Sequence, residues 1–353
     1  MAETIFLTND PLTRKRWARE LFRLLLKATE INDLVGTTPN AIIQQRTELG
    51  KGDGDEITFG IRLPLVGEGI VGRDPVEGNE EQLRFRDFKC TVEELNHAVH
   101  TGGRMEQQRI PYNLMEEGRD ALQEWWADRL SDLAFAHLCG DTSFKIAGKT
   151  FAQDPVDPDS DHWLKVNDVA TESAMTSADT ITLDFLDRMK QRAEVPVSSD
   201  AYKVRPLVIK GKKYYRVILH NYCFDQLRKN TNVGQWGDLL RAANKLALPN
   251  VEIEYNGMLI SKSERIRKVV TDSTNPNAGV FRNVLLGCQA AVLAWGGAGE
   301  TKSTRLSFVP YETDAKRYVN IRGGGILGIK KTRFGGKDFG VITGSAWGAP
   351  LET

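Results

Sequence analysis

Residues 56–65 read EITFGIRLPL, with Ile57, Phe59, Ile61, Leu63 and Leu65 at every second position and Glu56, Thr58, Gly60, Arg62 and Pro64 between them. A period of two held this long is that of a strand with one buried and one wet face. A second strand-like run, LRFRDFKCTV, follows at 83–92. There Leu83 and Phe85 share one phase, and Phe88, Cys90 and Val92 share the other. The slip near Asp87 predicts a bulge. Between the runs lies VGEGIVGRDPVEGNEEQ, rich in glycine and charge. Together these predict a long hairpin with an irregular tip. An isolated hairpin is marginal in water, and long irregular loops are more often functional or mobile. This one therefore needs a second surface, either a neighbouring subunit or a ligand groove.

The clearest helical pattern covers 111–139, where Met115, Leu122, Trp126, Leu130, Leu133 and His137 trace one face and Trp125 widens it. Pro111 suits a first helical position and Gly140 a stop. A continuous helix would run about 40 Å, with Gly118 its weak point. Residues 12–27, LTRKRWARELFRLLLK, space Leu12, Trp17, Leu21, Leu24 and Leu25 helically among Arg14, Lys15, Arg16, Arg19, Arg23 and Lys27. This basic amphipathic segment reads as a docking arm, or as a helix packed on its own domain. The Gly-rich stretch at 49–55 after it reads as a hinge.

Further on, 141–180 is polar and turn-rich, and helical patterns return at 182–194, 222–229 and 236–246. Two apolar runs flank a Gly-Lys-Lys turn in 206–219, and Asn256-Gly257 marks a tight hairpin. Periodicity leaves NVLLGCQAAVLAW at 283–295 undecided between strand and helix. From Arg305 onward the pattern predicts strands alternating with glycine turns.

Charge narrows the class. Lys plus Arg equals Asp plus Glu at 47 each, whereas a chain devoted to gripping nucleic acid carries a basic excess. Neutrality also removes the self-repulsion that keeps copies apart. Cys90, Cys139, Cys223 and Cys288 form no C-x-x-C pair, which points to reduced, buried thiols in a chain made in the cytoplasm. No signal-peptide run or membrane-length apolar stretch is expected.

Candidate chemistry is thin. Gly323, Gly325 and Gly328 fit G-x-G-x-x-G, but no helical pattern follows, so glycine turns between strands are the better reading. WGGAGETKST at 295–304 lacks the Gly directly before Lys that a phosphate loop requires. Asp157, Asp159, Asp161 and Asp168 have calcium-loop spacing, but His162 stands where the sharp turn wants glycine. A solvated surface loop is the expectation. Glu94, His97 and His100 would share a face on a helix and could hold a metal, though ordinary surface histidines explain them. His137 is expected half-buried and satisfied. No serine sits in a G-x-S-x-G elbow. Neither a catalytic residue nor a cofactor or metal site is expected.

GDEITFGIRLPLVGEGIVG at 54–72, LRFRDFKCTVEELNHAV after it, and the PYNLMEEGRDALQEWWADRLSDLAF helix resemble the major capsid proteins typified by the N-four podophage. The resemblance is best over 54–138, weaker over 205–300 and weakest over 141–180. It implies an α+β fold of the Hong Kong 97 type. Residues 1–54 would be an N-terminal arm, 55–104 the extended loop hairpin and its flank, and 105–199 a peripheral domain with a spine helix at 111–139. Residues 200–300 would be a mixed axial domain, and 301–353 return strands of the peripheral domain.

The implied function is a structural, non-enzymatic one: a self-assembling subunit of the icosahedral head of a tailed phage, enclosing double-stranded DNA. Implied partners are further copies in hexamers and pentamers, then scaffolding, portal and decoration proteins and non-specifically held DNA, with no membrane. Assembly would take place in the host cytoplasm and the product would be the virion. Arg62, Glu68, Arg73, Asp74, Arg84 and Arg86 in the hairpin are the candidate inter-subunit contacts. Alternatives are a cargo-filled bacterial nanocompartment on the same fold, a tail or portal component, and a metal- or nucleotide-dependent enzyme.

Overall fold

The computed structural model describes residues 31–47, 49, 54–65, 67, 69–72, 77–109, 113–198, 201–230, 251–273, 275–297 and 306–351. The basic segment 12–27, the helical pattern at 236–246, Pro111 and most of 295–304 lie outside the described residues. The described residues fall into two compact units, a smaller within 96–126 and 307–324 and a larger within 27–95, 127–306 and 325–353.

The architecture is α+β. In the larger unit an eight-stranded mixed sheet runs Trp163–Lys165, Val341–Gly348, Gly279–Leu286, Lys212–His220, Met258–Ser263 and Ile253–Tyr255. Lys268–Thr271 and Leu207–Ile209 pair at its flanks. Gly279–Leu286 is buried along its whole length, so its apolar run shows no alternation. That explains the ambiguous 283–295. It is two strands of different sheets, Gly279–Leu286 and Ala291–Trp295, both buried on both faces and joined through Gly287–Ala290. Ala291–Trp295 lies between Ile43–Arg46, parallel to it, and Leu327–Lys331, antiparallel. The helices Leu183–Glu194 and Asn221–Lys229 stand where the pattern put them. Thr182 caps the first, its hydroxyl accepting from the Phe185 N–H at 3.3 Å. The Asn256-Gly257 turn joins Ile253–Tyr255 to Met258–Ser263 as expected.

The long helix covers Leu114–Cys139. Its end is a Schellman motif: Gly140 takes a φ of +69°, its N–H donates to His137 O at 3.3 Å, and the Asp141 N–H donates to Ala136 O at 2.9 Å. From Ser131 onward nearly every side chain is buried, so the last two turns are apolar all round rather than on one stripe.

In the smaller unit Ser307–Thr313 pairs antiparallel with the first half of the strand Tyr318–Lys331, from Ser307 opposite Gly324 to Thr313 opposite Tyr318. The expected glycine turns are not there: Gly323, Gly325 and Gly328 lie inside that single 14-residue strand. Close approach, not turning, requires glycine. A Cβ on Gly323 would stand 3.0 Å from both Phe308 Cε1 and Trp126 Nε1, and one on Gly328 would overlap the Thr91 carbonyl.

Candidate assembly surface

The predicted hairpin is present as Glu56–Arg62 paired with Phe85–Thr91, and it forms a two-stranded sheet of its own. The register runs from Glu56 opposite Thr91 to Arg62 opposite Phe85 without a shift, and the Leu63 N–H adds one rung to Arg84 O at 2.9 Å. The expected bulge near Asp87 is therefore absent. The apolar phase changes there because Leu83 and Phe85 point away from the core.

The inner face is rooted. Phe88 and Cys90 are buried against Val292, Ala294 and Phe334, with Ile57, Phe59 and Ile61 packed alongside. Phe88 meets Phe59 and Phe334 at ring-centroid distances of 5.9 Å each. The distal part is not covered: Leu65 is 62% exposed, Val71 85%, Leu83 55% and Phe85 66%. By strand parity Leu65 continues the inner face while Phe85 and Leu83 share the outer one. Apolar side chains thus face water on both sides of one narrow ribbon, a pattern that marks an interaction site.

The candidate contact residues divide. Arg62 and Arg84 are exposed at the point where the ribbon leaves the core. Arg86 is turned inward opposite Ile61, its Nη1 donates to the Tyr202 hydroxyl at 2.9 Å, and its guanidinium lies 5.9 Å from the Tyr202 ring centroid. Glu68, Arg73 and Asp74 lie outside the described residues. The exposed apolar residues were not among the candidates read from the sequence, although the phase change at Asp87 was their signal.

The other candidate chemistry resolves into structural contacts. The loop of Asp157, Asp159, Asp161 and Asp168 is solvated only in part, since Asp157 and Asp168 are exposed. Asp159 and His162 are buried, and the His162 Nδ1 sits 2.9 Å from Asp159 Oδ2 while Nε2 sits 3.0 Å from Tyr202 O. Asp157 pairs with Arg282 at 2.8 Å, Asp161 with Lys337 at 2.5 Å, and Asp168 with Arg188 at 2.5 Å. The chain's own cations occupy the carboxylates that the calcium-loop spacing singled out.

Glu94, His97 and His100 lie on the strand Glu93–Gly103, not on a helix, so His97 faces the side opposite the other two. His97 stacks on Trp125 at 4.4 Å, and His100 bonds Asn320. His137 is fully rather than half buried, and burial, aided by Lys330 and Lys331, pushes its pKa down to about 3. Burial pushes the Cys139 and Cys223 thiols up to about 12, which leaves them poor nucleophiles. Among the described residues no group of three or more His, Cys, Asp or Glu side chains could hold a metal ion, and no helix is long and apolar enough to cross a membrane.

Buried arginines tie the loops to this framework. Arg282 makes a two-pronged contact with Glu172 at 2.8 Å on each arm and also reaches the Gly140 carbonyl that closes the long helix. Arg265, 1% exposed, pairs with Asp128 and Asp132 of the long helix, the latter at 3.1 Å.

A family model described as phage capsid protein matches residues 6–346. The chain belongs to the phage capsid protein family. The capsid of Ralstonia phage GP4 superposes with a TM-score of 0.84 at 25% identity, covering all of both chains. The Cyanophage Pam1 capsid gives 0.76 at 19% identity, again over all of both chains. The major capsid protein of Pseudomonas phage KPP25 is 33% identical over 207 residues, 53% of this chain and 54% of that protein, so the match spans about half the length of that relative. The expected α+β capsid fold of the Hong Kong 97 type is the fold this family member has.

Proposed function

We propose that this chain is the major capsid protein of a tailed bacteriophage, closing into pentamers and hexamers and then into an icosahedral head around double-stranded DNA. The observation that carries this reading is the hairpin: a ribbon rooted in the core at its base whose distal part shows Leu65, Val71, Leu83 and Phe85 to solvent on both faces. A ribbon of that kind is stable only when another body covers it. A second copy supplies the cover, and a head-to-tail contact of this type closes into rings. The capsid family membership supports it.

In this reading residues 1–54 are the arm, 55–104 the extended loop and its flank, 105–199 with 301–353 the peripheral domain and 200–300 the axial domain, with Trp163–Lys165 and Val341–Gly348 crossing into the axial sheet. Arg62 and Arg84, with Glu68, Arg73 and Asp74 of the tip, set the register between copies, because exposed charges give specificity more than affinity. Scaffolding, portal and decoration proteins complete the head, assembly takes place in the host cytoplasm, and the chain carries no catalytic task. DNA is held without sequence reading, as the neutral charge balance suits.

Negative-stain electron microscopy of the purified chain, alone and with neighbouring gene products, tests the reading. Closed icosahedral particles are expected. Monomers or small discrete oligomers under every salt and partner condition would overturn it.

A further inference from the structure

Asn256-Gly257 is the one Asn-Gly pair in the sequence, and the capsid reading leaves it unused. Tyr255 pairs with Met258, so Asn256 and Gly257 alone form the loop between Ile253–Tyr255 and Met258–Ser263. Their φ values of +44° and +69° are those of a type I′ turn. A loop of this length leaves the Gly257 N–H outside the ladder.

The Asn256 side chain is exposed, yet it is clamped to the helix Leu183–Glu194. Its Nδ2 donates to Asp187 Oδ1 and the Lys190 Nζ donates to its Oδ1, both at 2.9 Å. The Tyr255 hydroxyl donates to the other oxygen of Asp187 at 2.6 Å. Lys190 Nζ stands 3.7 Å from Glu194 Oε1 and would be 3.8 Å from a Cβ on Gly257. An ammonium therefore lies against the amide oxygen and beside the next residue's backbone.

Three conditions for breaking a side-chain amide meet here. Gly257 has no Cβ to hold its nitrogen away from Asn256 Cγ. Water reaches the exposed turn. Lys190 sits where negative charge develops on Oδ1 as that nitrogen attacks, the placement by which a fixed cation lowers a barrier. We infer that Asn256 is a self-modification site, deamidated through a cyclic imide that Gly257 closes and Lys190 promotes. First the Gly257 nitrogen bonds to Asn256 Cγ and the Cγ–Nδ2 bond breaks. Nδ2 leaves as ammonia, carrying the proton that the Gly257 nitrogen gives up. Water then opens the imide at either carbonyl, leaving an aspartate or an isoaspartate. The chain loses ammonia and gains water, and nothing is oxidised or reduced.

The product reverses the clamp. Where Nδ2 donated to Asp187, a carboxylate oxygen faces that carboxylate with no proton to share. An isoaspartate also adds a carbon to the backbone of a two-residue loop whose length sets the register. Ile253–Tyr255 ends the strand order of the eight-stranded sheet, so it is the strand that loosens. The inference stands independently of the capsid reading.

The test keeps the full chain at pH 6 and at pH 8, digests it and weighs the peptides. Asn256 should show the mass gain of amide-to-acid exchange, faster at pH 8 because the attacking nitrogen must shed its proton. It should also outpace the exposed Asn277, which Ala278 follows. No exchange at Asn256, or exchange no faster than at Asn277, would overturn the site. Lys190→Met should slow the exchange about fivefold, while Lys190→Arg, which keeps the charge, should not. Equal or faster exchange in Lys190→Met would overturn the role of Lys190. A lasting loss of ammonia that joins the peptides of Lys190 and Asn256 would make Lys190 the nucleophile and overturn the imide route. Asn256→Asp, which mimics one product, should lose hydrogen-exchange protection over 253–260. Unchanged protection would refute the reversed clamp.

Discussion

Arg265 and Arg282 are buried cations whose worth lies in their partners. Taking one charge out of water costs several kcal/mol, and attraction to well-placed carboxylates offsets it. Removing the cation leaves Asp128 and Asp132, or Glu172, facing an empty, poorly solvated site. Arg265→Met should therefore cost about 3 kcal/mol in a denaturant midpoint measurement. Arg282→Lys should be costly as well, because an ammonium cannot reproduce the fork on Glu172.

His162 gives a pH signature. Burial opposes its charge, but the bond to Asp159, the Tyr202 carbonyl and the charge of Asp338 outweigh burial and hold its pKa above 6.5. Lys337 faces the same carboxylates, 3.9 Å from Asp159 and 2.5 Å from Asp161. A raised folded-state pKa contributes stability that is fully present below 6.5 and is lost as pH rises through the folded value. Asp159 runs the other way. Burial would raise it, but His162 and the backbone N–H groups of Asp338 and Asp161 hold it below 3.8, so its contribution is present above 3.8 and lost as pH falls through the lower folded value. The pair stabilises most between these limits. Denaturant midpoints of the unmodified chain should fall from pH 6 to pH 8 more than those of His162→Asn. Parallel curves would refute this account.

At the scale of elements, the sequence patterns worked where one face of an element is buried and failed where both faces are alike. Ile57, Phe59 and Ile61 alternate because one face of their strand meets Phe88 and Phe334, and that strand was legible. Val284, Leu285 and Leu286 do not alternate, because their strand is buried on both sides, so periodicity was silent. Gly323, Gly325 and Gly328 read as turns because a sequence cannot say which backbone passes overhead; only tertiary packing puts the Thr91 carbonyl against Gly328. The solvated-loop expectation for Asp157, Asp159 and Asp161 held only in part for a related reason, since their partners Arg282, His162 and Lys337 come partly from distant parts of the chain. Of the candidate assembly surface, the hairpin itself was legible, while the exposure of Leu83 and Phe85 showed only as a break in phase. The glycine argument is open to measurement. Gly328→Ala should cost about 3 kcal/mol, the upper end for overpacking, because a carbonyl in a paired strand cannot step aside. Hydrogen exchange should show lost protection over 85–91 and 327–331. Unchanged protection would mean the strands separate at no cost.

For the whole molecule, charge placement decides more than charge total. A neutral chain does not repel its copies, and in the proposed assembly exposed charges at the hairpin choose among orientations. Arg62 and Arg84 stand exposed where the ribbon leaves its own core. Because both are exposed, Arg62→Glu and Arg84→Glu should change subunit stability by less than about 0.5 kcal/mol. Assembly should respond far more. Light-scattering traces should show slower particle growth for Arg84→Glu at low salt, with the gap closing as salt screens the mismatch. Arg86 serves as the internal contrast. Its reversal breaks the contact with Tyr202 inside the chain, so it should lower subunit stability at every salt concentration. Equal assembly traces for Arg84→Glu and the unmodified chain, at matched stability, would remove the arginine at the ribbon's exit from the register-setting role and leave its apolar residues to set register alone.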